Sequence, residues 1–176
     1  GFANQKDVEI AALCDVDESH RTATLANLKK IRPDTRTELY DDFRRVLERD
    51  DIDVVSCATP DHWHALVTIL AFQAGKDVYS EKPLCHNVAE GRAMVNAGRR
   101  HERVFQLGTQ IHAGDNYHRV VELVRSGALG KIHTVRLWMN GGAPNLKPPP
   151  DRAPPETLDW ERWLGPAPWN PYNPAR

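Results

Sequence analysis

The 176-residue sequence has little cysteine, no long hydrophobic run and almost no net charge. Its three cysteines, Cys14, Cys57 and Cys85, lie far apart without a CxxC pair, so we expect neither a disulfide nor a zinc site. The eight histidines lack the spacing of metal ligands, and we predict no metal centre. No apolar run approaches the roughly 18 residues that cross a bilayer. The net charge of −1 gives no reason to expect binding to nucleic acid or to a membrane.

The first part of the chain alternates apolar runs with amphipathic stretches. We predict strands near 8–14, 53–58, 77–81 and 103–107, and helices over 18–31, 40–49, 59–74 and 87–100. This order is typical of an α/β fold with a doubly wound parallel sheet. Right-handed crossovers should then bring four strand ends to one edge of the sheet, at Asp15, Ala58, Lys82 and Gly108.

The pattern changes after Gly108. Residues 117–125 have the spacing of one more helix, and residues 131–140 alternate like a strand, which we assign to a second sheet. A proline-rich tail with Trp160, Trp163 and Trp169 follows. Tryptophan rings suit the apolar faces of sugars, but they also suit an ordinary core or an oligomer interface.

Asp15 ends the first predicted strand with a carboxylate. In dinucleotide-binding folds such a carboxylate binds the ribose hydroxyls and lies about 20 residues after a glycine-rich turn. Counting back from Asp15 passes Gly1, so we expect a chain that begins inside the first helix of such a fold. A carboxylate here would repel a 2′-phosphate, which favours NAD over NADP. The alternative is that Asp15 only caps the next helix.

Glu81-Lys82-Pro83 ends the third predicted strand with an acid, a base and a proline. Ligands in open α/β sheets bind outside the carboxyl ends of the strands, so this pair would lie at a substrate. The alternative is an exposed salt bridge, which contributes little. In the turn after the second predicted strand, Thr59 is the predicted N-cap and Pro60 is the first residue of the next helix. These two residues would also form an ordinary capped turn without a functional role.

Four motifs, in this order and spacing, resemble the Gfo/Idh/MocA oxidoreductases, the group of glucose–fructose oxidoreductase and inositol dehydrogenase. They are residues 58–64 (ATPDHWH), 81–83 (EKP), 108–110 (GTQ) and 127–130 (GALG). The resemblance implies a Rossmann NAD(P)-binding domain over residues 1–112. It also implies that residues 113–176 start a second α/β domain with an open, mainly antiparallel sheet. The expected activity is hydride transfer between NAD, less readily NADP, and a sugar or polyol.

The resemblance also assigns site residues by position. Lys82 is the expected catalytic residue, and the expected cofactor contacts are Asp15, Thr59, Pro60, His64, Glu81, Lys82, Gln110 and Trp163. The family's glycine loop and the later segment that supplies an Asp and a His are not in the sequence. We therefore expect a catalytically incomplete fragment. Two other functions stay open: an NAD-dependent, redox-neutral glycoside hydrolase, and a non-catalytic NAD-binding regulator.

The resemblance extends to the setting of the protein. We expect a bacterial enzyme of carbohydrate metabolism that forms a homo-oligomer at full length. A cytoplasmic location is expected, with export left open because the chain does not begin with methionine.

Overall fold

The computed structural model describes residues 2–138 and 149–175, which alternate strands and helices. The strands are Ala12–Cys14 (β1), Glu38–Tyr40 (β2), Val54–Cys57 (β3), Asp77–Glu81 (β4) and Phe105–Gly108 (β5). The α-helices are Glu18–Ile31 (α1), Phe43–Leu47 (α2), Asp61–Gln73 (α3), Val88–His101 (α4), Asp115–Arg125 (α5) and Trp160–Leu164 (α6). Short 3₁₀ helices cover Phe2–Asn4 and Gln110–Ala113. Within the described ranges, no helix combines the length and apolar character needed to cross a membrane.

All the strands pair in parallel, as predicted, but they form two sheets instead of one. β1 pairs with β2, and β3, β4 and β5 form a second sheet in that order. The usual dinucleotide-binding order is 3-2-1-4-5-6. In that numbering, β1 of this chain takes the place of strand 2 and β2 takes the place of strand 3. β3, β4 and β5 take the places of strands 4, 5 and 6. No strand in the described ranges fills position 1, so β1 and β3 are not joined.

Helix caps explain several boundaries. Asp17 caps α1 by accepting from Ser19 N at 2.8 Å, and the helix spans the predicted residues. Asn87 caps α4 by accepting from Glu90 N at 3.0 Å, as the capping-box spacing indicates. The cap predicted at Thr59 is wrong. Pro60 is the N-cap of α3 and has no side-chain cap bond, and the Thr59 hydroxyl lies 3.3 Å from Cys57 Sγ instead.

The helix predicted over residues 40–49 forms only over Phe43–Leu47, so its predicted start was too early. Residues 38–40 form β2 beside β1, and Asp42 then caps the short α2 by accepting from Arg44 N at 3.0 Å.

The strand predicted over 131–140 does not form over the described residues 131–138, which are exposed. A strand needs a pairing partner, and none of the described strands lies beside it. Residues 139 and 140 lie outside the described residues.

The core lies where α3 packs on β3 and β4. Its buried members are Cys57, Val67, Ala71, Phe72 and Val78, and Phe43, Trp63 and Phe105 pack around them. Lys76 is also buried, and its ammonium donates to the carbonyls of Arg49 at 2.5 Å and Ile52 at 3.0 Å. These two bonds satisfy a buried cation and hold the loop that leads into β3.

Candidate cofactor-binding edge

The carboxyl ends of β3, β4 and β5 lie side by side. Cys57 is opposite Ser80, and Glu81 is opposite Gly108. The turn that begins at Ala58 therefore lies next to Glu81. The Glu81 carboxylate accepts a 2.6 Å hydrogen bond from Gln110 Nε2, just beyond β5. The structure thus brings together two predicted site residues from different strands.

Lys82 directly follows Glu81, the last residue of β4. A cis peptide bond joins Lys82 to Pro83. Its side chain is exposed and makes no hydrogen bond or ion pair with any described residue. The salt bridge with a surface acid, the alternative considered from the sequence, is not formed among these residues. The Lys82 ammonium is therefore available to a ligand, while the neighbouring carboxylate is held in place.

Asp15 follows β1, and its backbone N–H donates to Tyr40 O at 3.2 Å. Its Oδ1 accepts from Asp17 N at 2.9 Å, and its Oδ2 lies 3.7 Å from Nδ1 of the exposed His20. Asp17, not Asp15, caps α1. Oδ2 thus keeps acceptor capacity toward the solvent, as a ribose-binding carboxylate requires.

Residues 157–165, here called the strap, connect the two sheets. Near β1, Asp159 N donates to Val16 O at 3.1 Å. Near the start of α3, the carbonyl of Trp163 accepts from Trp63 Nε1 and from His62 Nε2, each at 3.0 Å. Four residues separate Asp159 from Trp163, about one helical turn of roughly 5.4 Å. The ends of β1 and β3 therefore share one edge, as predicted.

The side chains of the strap reinforce these bonds. The rings of Trp160 and Trp163 stack with centroids 4.7 Å apart, and the Trp163 ring meets His62 edge-on at 5.5 Å. Arg162 Nη1 lies 2.6 Å from Asp41 Oδ2, just after β2. This hydrogen bond lowers the pKa of Asp41 below its ordinary value and keeps the carboxylate charged. Trp163 therefore anchors the strap to α3 through both its carbonyl and its ring.

The three remaining predicted site residues lie in the turn between β3 and α3 (Thr59 and Pro60) and in the first turn of α3 (His64). Thr59 is exposed and Pro60 is half-buried, so both can contact a ligand. His64 is only 1% exposed, and its ring lies beneath the surface of the site. Within residues 2–138 and 149–175, no group of three or more His, Cys, Asp or Glu side chains is arranged to hold a metal ion.

Comparison with known proteins identifies the family of the chain. A family model described as "Oxidoreductase family, NAD-binding Rossmann fold" (Gfo/Idh/MocA) matches residues 2–109. The chain belongs to this family. The predicted α/β Rossmann-type fold and the NAD(P) cofactor class are thereby confirmed.

Individual relatives fall into two groups. A glycosyl hydrolase family 109 protein of Shewanella pealeana is 32% identical over 136 residues, which are 74% of this chain and 29% of that protein. Myo-inositol 2-dehydrogenase of Lactobacillus plantarum has a TM-score of 0.66 at 26% identity, covering 74% of this chain and 38% of the other. The WlbA dehydrogenase of Bordetella pertussis, solved with NADH and UDP-GlcNAcA, shares the fold at 24% identity with a TM-score of 0.65 over 75% and 36%. The chain thus spans less than half the length of each.

Two charged residues near the carboxyl ends of the strands were not predicted to be part of the site. Asp41 was missed because the three-residue β2 was read as the start of a helix. The sequence Tyr40-Asp41-Asp42, with two acids directly before the helix-forming residues 43–47, was the signal that could have located this strand end. Arg162 was missed because its partner lies 121 residues earlier, and no local pattern marks such a pair.

Proposed function

We propose that this chain forms the cofactor-binding part of an NAD-dependent oxidoreductase that acts on a CH–OH group of a sugar or polyol. The observation that carries the proposal is the exposed ammonium of Lys82, which has no partner among the described residues, beside the fixed carboxylate of Glu81 at a strand end. The similarity to an inositol dehydrogenase supports the substrate class.

The residues present fit a dinucleotide. Asp15 keeps an open carboxylate oxygen for a ribose hydroxyl, and α3 starts without a side-chain cap, so its first N–H groups can meet a phosphate. Thr59, Pro60 and Trp163 would line the same cleft. A Cβ at Gly108 would lie 3.0 Å from Tyr79 Oη and 3.1 Å from Ser80 O, so a side chain there would crowd the edge. The negative charge of Asp15 favours NAD over NADP.

Lys82 would handle the proton of the reaction. Bound nicotinamide supplies or accepts the hydride. The Lys82 ammonium can donate a hydrogen bond to the substrate oxygen, polarise it and give it a proton as a carbonyl is reduced, and the neutral Lys82 amine can take that proton as an alcohol is oxidised. Gln110 fixes Glu81, which in turn would bind the nicotinamide ribose and keep Lys82 oriented.

A redox-neutral glycoside hydrolase is the second candidate. The similarity to family 109 glycosyl hydrolases favours it. In such a reaction a sugar hydroxyl is oxidised, the glycosidic bond is eliminated, water adds, and the hydride returns to the sugar, so no net NADH forms. The same Lys82 could serve the oxidation step of either reaction.

One experiment separates the two functions. The full-length protein is incubated with NAD⁺ and a panel of polyols, free sugars and aryl glycosides, and NADH absorbance and phenol release are recorded together. Steady NADH formation with a polyol or sugar supports the dehydrogenase. Phenol release without net NADH supports the hydrolase. NAD⁺ binding by calorimetry with neither signal would contradict both and leave a non-catalytic NAD-binding protein.

A further inference from the structure

His64 bridges the two loops that form the candidate site. It is the fourth residue of α3, and its ring is 1% exposed. Nδ1 lies 2.7 Å from the carbonyl oxygen of Pro83, and Nε2 lies 2.8 Å from the carbonyl oxygen of Thr59. One loop follows β3 and would meet the cofactor, and the other carries Lys82. A single buried ring therefore spans both.

Both partners of the ring are carbonyl oxygens, which can only accept hydrogen bonds. The imidazolium donates from both nitrogens, and either neutral tautomer donates from one. In each state the ring fixes at least one loop by a hydrogen bond and separates the two loops by its own rigid width. Because the ring is buried, it acts on a ligand through Thr59 and Pro83 and not by contact.

We propose that His64 is a positioning residue that sets the distance between the cofactor-binding turn at Thr59 and the catalytic Lys82. This inference rests on the proposed function for the role of Lys82. A flexible connection between the two loops would let Lys82 drift relative to the nicotinamide. Misplacement of a reacting group by about 1 Å can cost on the order of 10² in rate.

Two half-substitutions test the bridge. The amide nitrogen of glutamine can take the place of Nε2, so His64→Gln keeps the contact to Thr59 and loses the one to Pro83. The amide nitrogen of asparagine can take the place of Nδ1, so His64→Asn keeps the contact to Pro83 and loses the one to Thr59. Thr68→Val is the matched control, because Thr68 is buried one turn further along α3 and its hydroxyl has no hydrogen-bond partner among the described residues.

The measurements are the Kd of NAD⁺ by calorimetry, kcat with the best substrate of the panel, and backbone amide NMR shifts, all on the full-length protein. We expect His64→Gln to lower kcat about 10- to 100-fold with little change in Kd, and to move the amide signals of Lys82 and Leu84. We expect His64→Asn to weaken NAD⁺ binding by about tenfold or more and to move the signal of Thr59. Thr68→Val should change none of these.

The outcomes separate this inference from the proposed function. If NAD⁺ binds but nothing in the panel turns over, the proposed function fails, and Kd together with the amide shifts still tests the bridge. If both half-substitutions leave Kd, kcat and the amide shifts at wild-type values, the bridge is overturned. The bridge is also overturned if the two half-substitutions have the same effect on Kd and kcat and that effect only follows the decrease in Tm. In that case His64 would contribute to stability alone.

Discussion

Glu81 and Lys82 are neighbours in sequence with opposite surroundings. The Glu81 carboxylate accepts a 2.6 Å hydrogen bond from Gln110, whereas the Lys82 ammonium is exposed and has no partner among the described residues. A held acid beside an available base is the arrangement that a proton-handling site needs. It is not the arrangement of a surface salt bridge.

Lys82→Ala should abolish most of the activity of the full-length enzyme. The loss of a positioned proton donor typically costs about 10²–10⁴ in rate, so kcat should fall by that factor while the Kd of NAD⁺ changes little. Lys82→Arg should not restore activity, because guanidinium does not release its proton. Steady-state kinetics and calorimetry check this, with the exposed Lys30→Ala as control. Turnover near the wild-type rate in Lys82→Ala would remove the residue from the mechanism.

Asp15→Asn should reduce the preference for NAD over NADP. Two unit charges about 4 Å apart in water repel by about 1 kcal/mol, which corresponds to about fivefold in the ratio of the two Kd values. Calorimetric titration of both cofactors measures this ratio, and the exposed Asp7→Asn serves as control. An unchanged ratio would mean that Asp15 does not face the 2′ position.

Gly165→Ala should displace the strap. Gly165 has a φ of 50°, and a Cβ there would lie 2.0 Å from Trp63 Cζ2, far inside contact distance. We expect a loss of about 1–3 kcal/mol, a changed tryptophan fluorescence and faster proteolysis near residue 165. Gly127→Ala is the control, since it also has a positive φ, 75°, but meets nothing within 4 Å. Equal effects of the two substitutions would show that backbone strain, not the Trp63 contact, is responsible.

Acid should weaken the strap through Asp41. The hydrogen bond from Arg162 lowers the pKa of Asp41, so the folded state binds this proton less readily than the unfolded state. The stabilisation is present above the ordinary aspartate pKa of about 3.9 and is lost as the pH falls through the lowered value. The difference in Tm between wild type and Asp41→Asn should therefore be small but measurable at about pH 6 and should shrink as the pH falls below about 3.9. A difference that grows on acidification would contradict this pairing.

Local signals predicted much of the Rossmann part. The capping residues Asp17 and Asn87 fix where α1 and α4 begin, and both caps are visible in a few consecutive residues. The parallel strands follow from apolar runs between helices, although β1 has no buried residue and β3 has only Cys57. β2 was not predicted, because three residues are too few to show the periodicity of a strand. Pro60 takes the N-cap position instead of Thr59, because the Thr59 hydroxyl interacts with Cys57.

The site was predicted only in part, because its contacts are long-range. Motif positions indicated Glu81, Lys82 and Gln110, yet the bond that links Glu81 to Gln110 spans 29 residues and has no local signature. The helical spacing around His64 does not show whether its ring reaches the cleft or lies beneath it. That depends on how closely the Pro83 loop packs over α3, which is a property of the folded chain.

The strap should also influence the rate at which the folded protein unfolds. Its bonds to Trp63 and Asp41 close loops of 100 and 121 residues, and closing a loop of this size costs roughly 4 kcal/mol of chain entropy. Because of this entropy cost, we expect such contacts to form after the transition state for folding. Weakening them should accelerate unfolding without slowing folding. For Trp63→Phe, which keeps an aromatic side chain but removes the Nε1 donor, we expect only the unfolding arm of the denaturant chevron to rise, as it would if the strap slows unfolding.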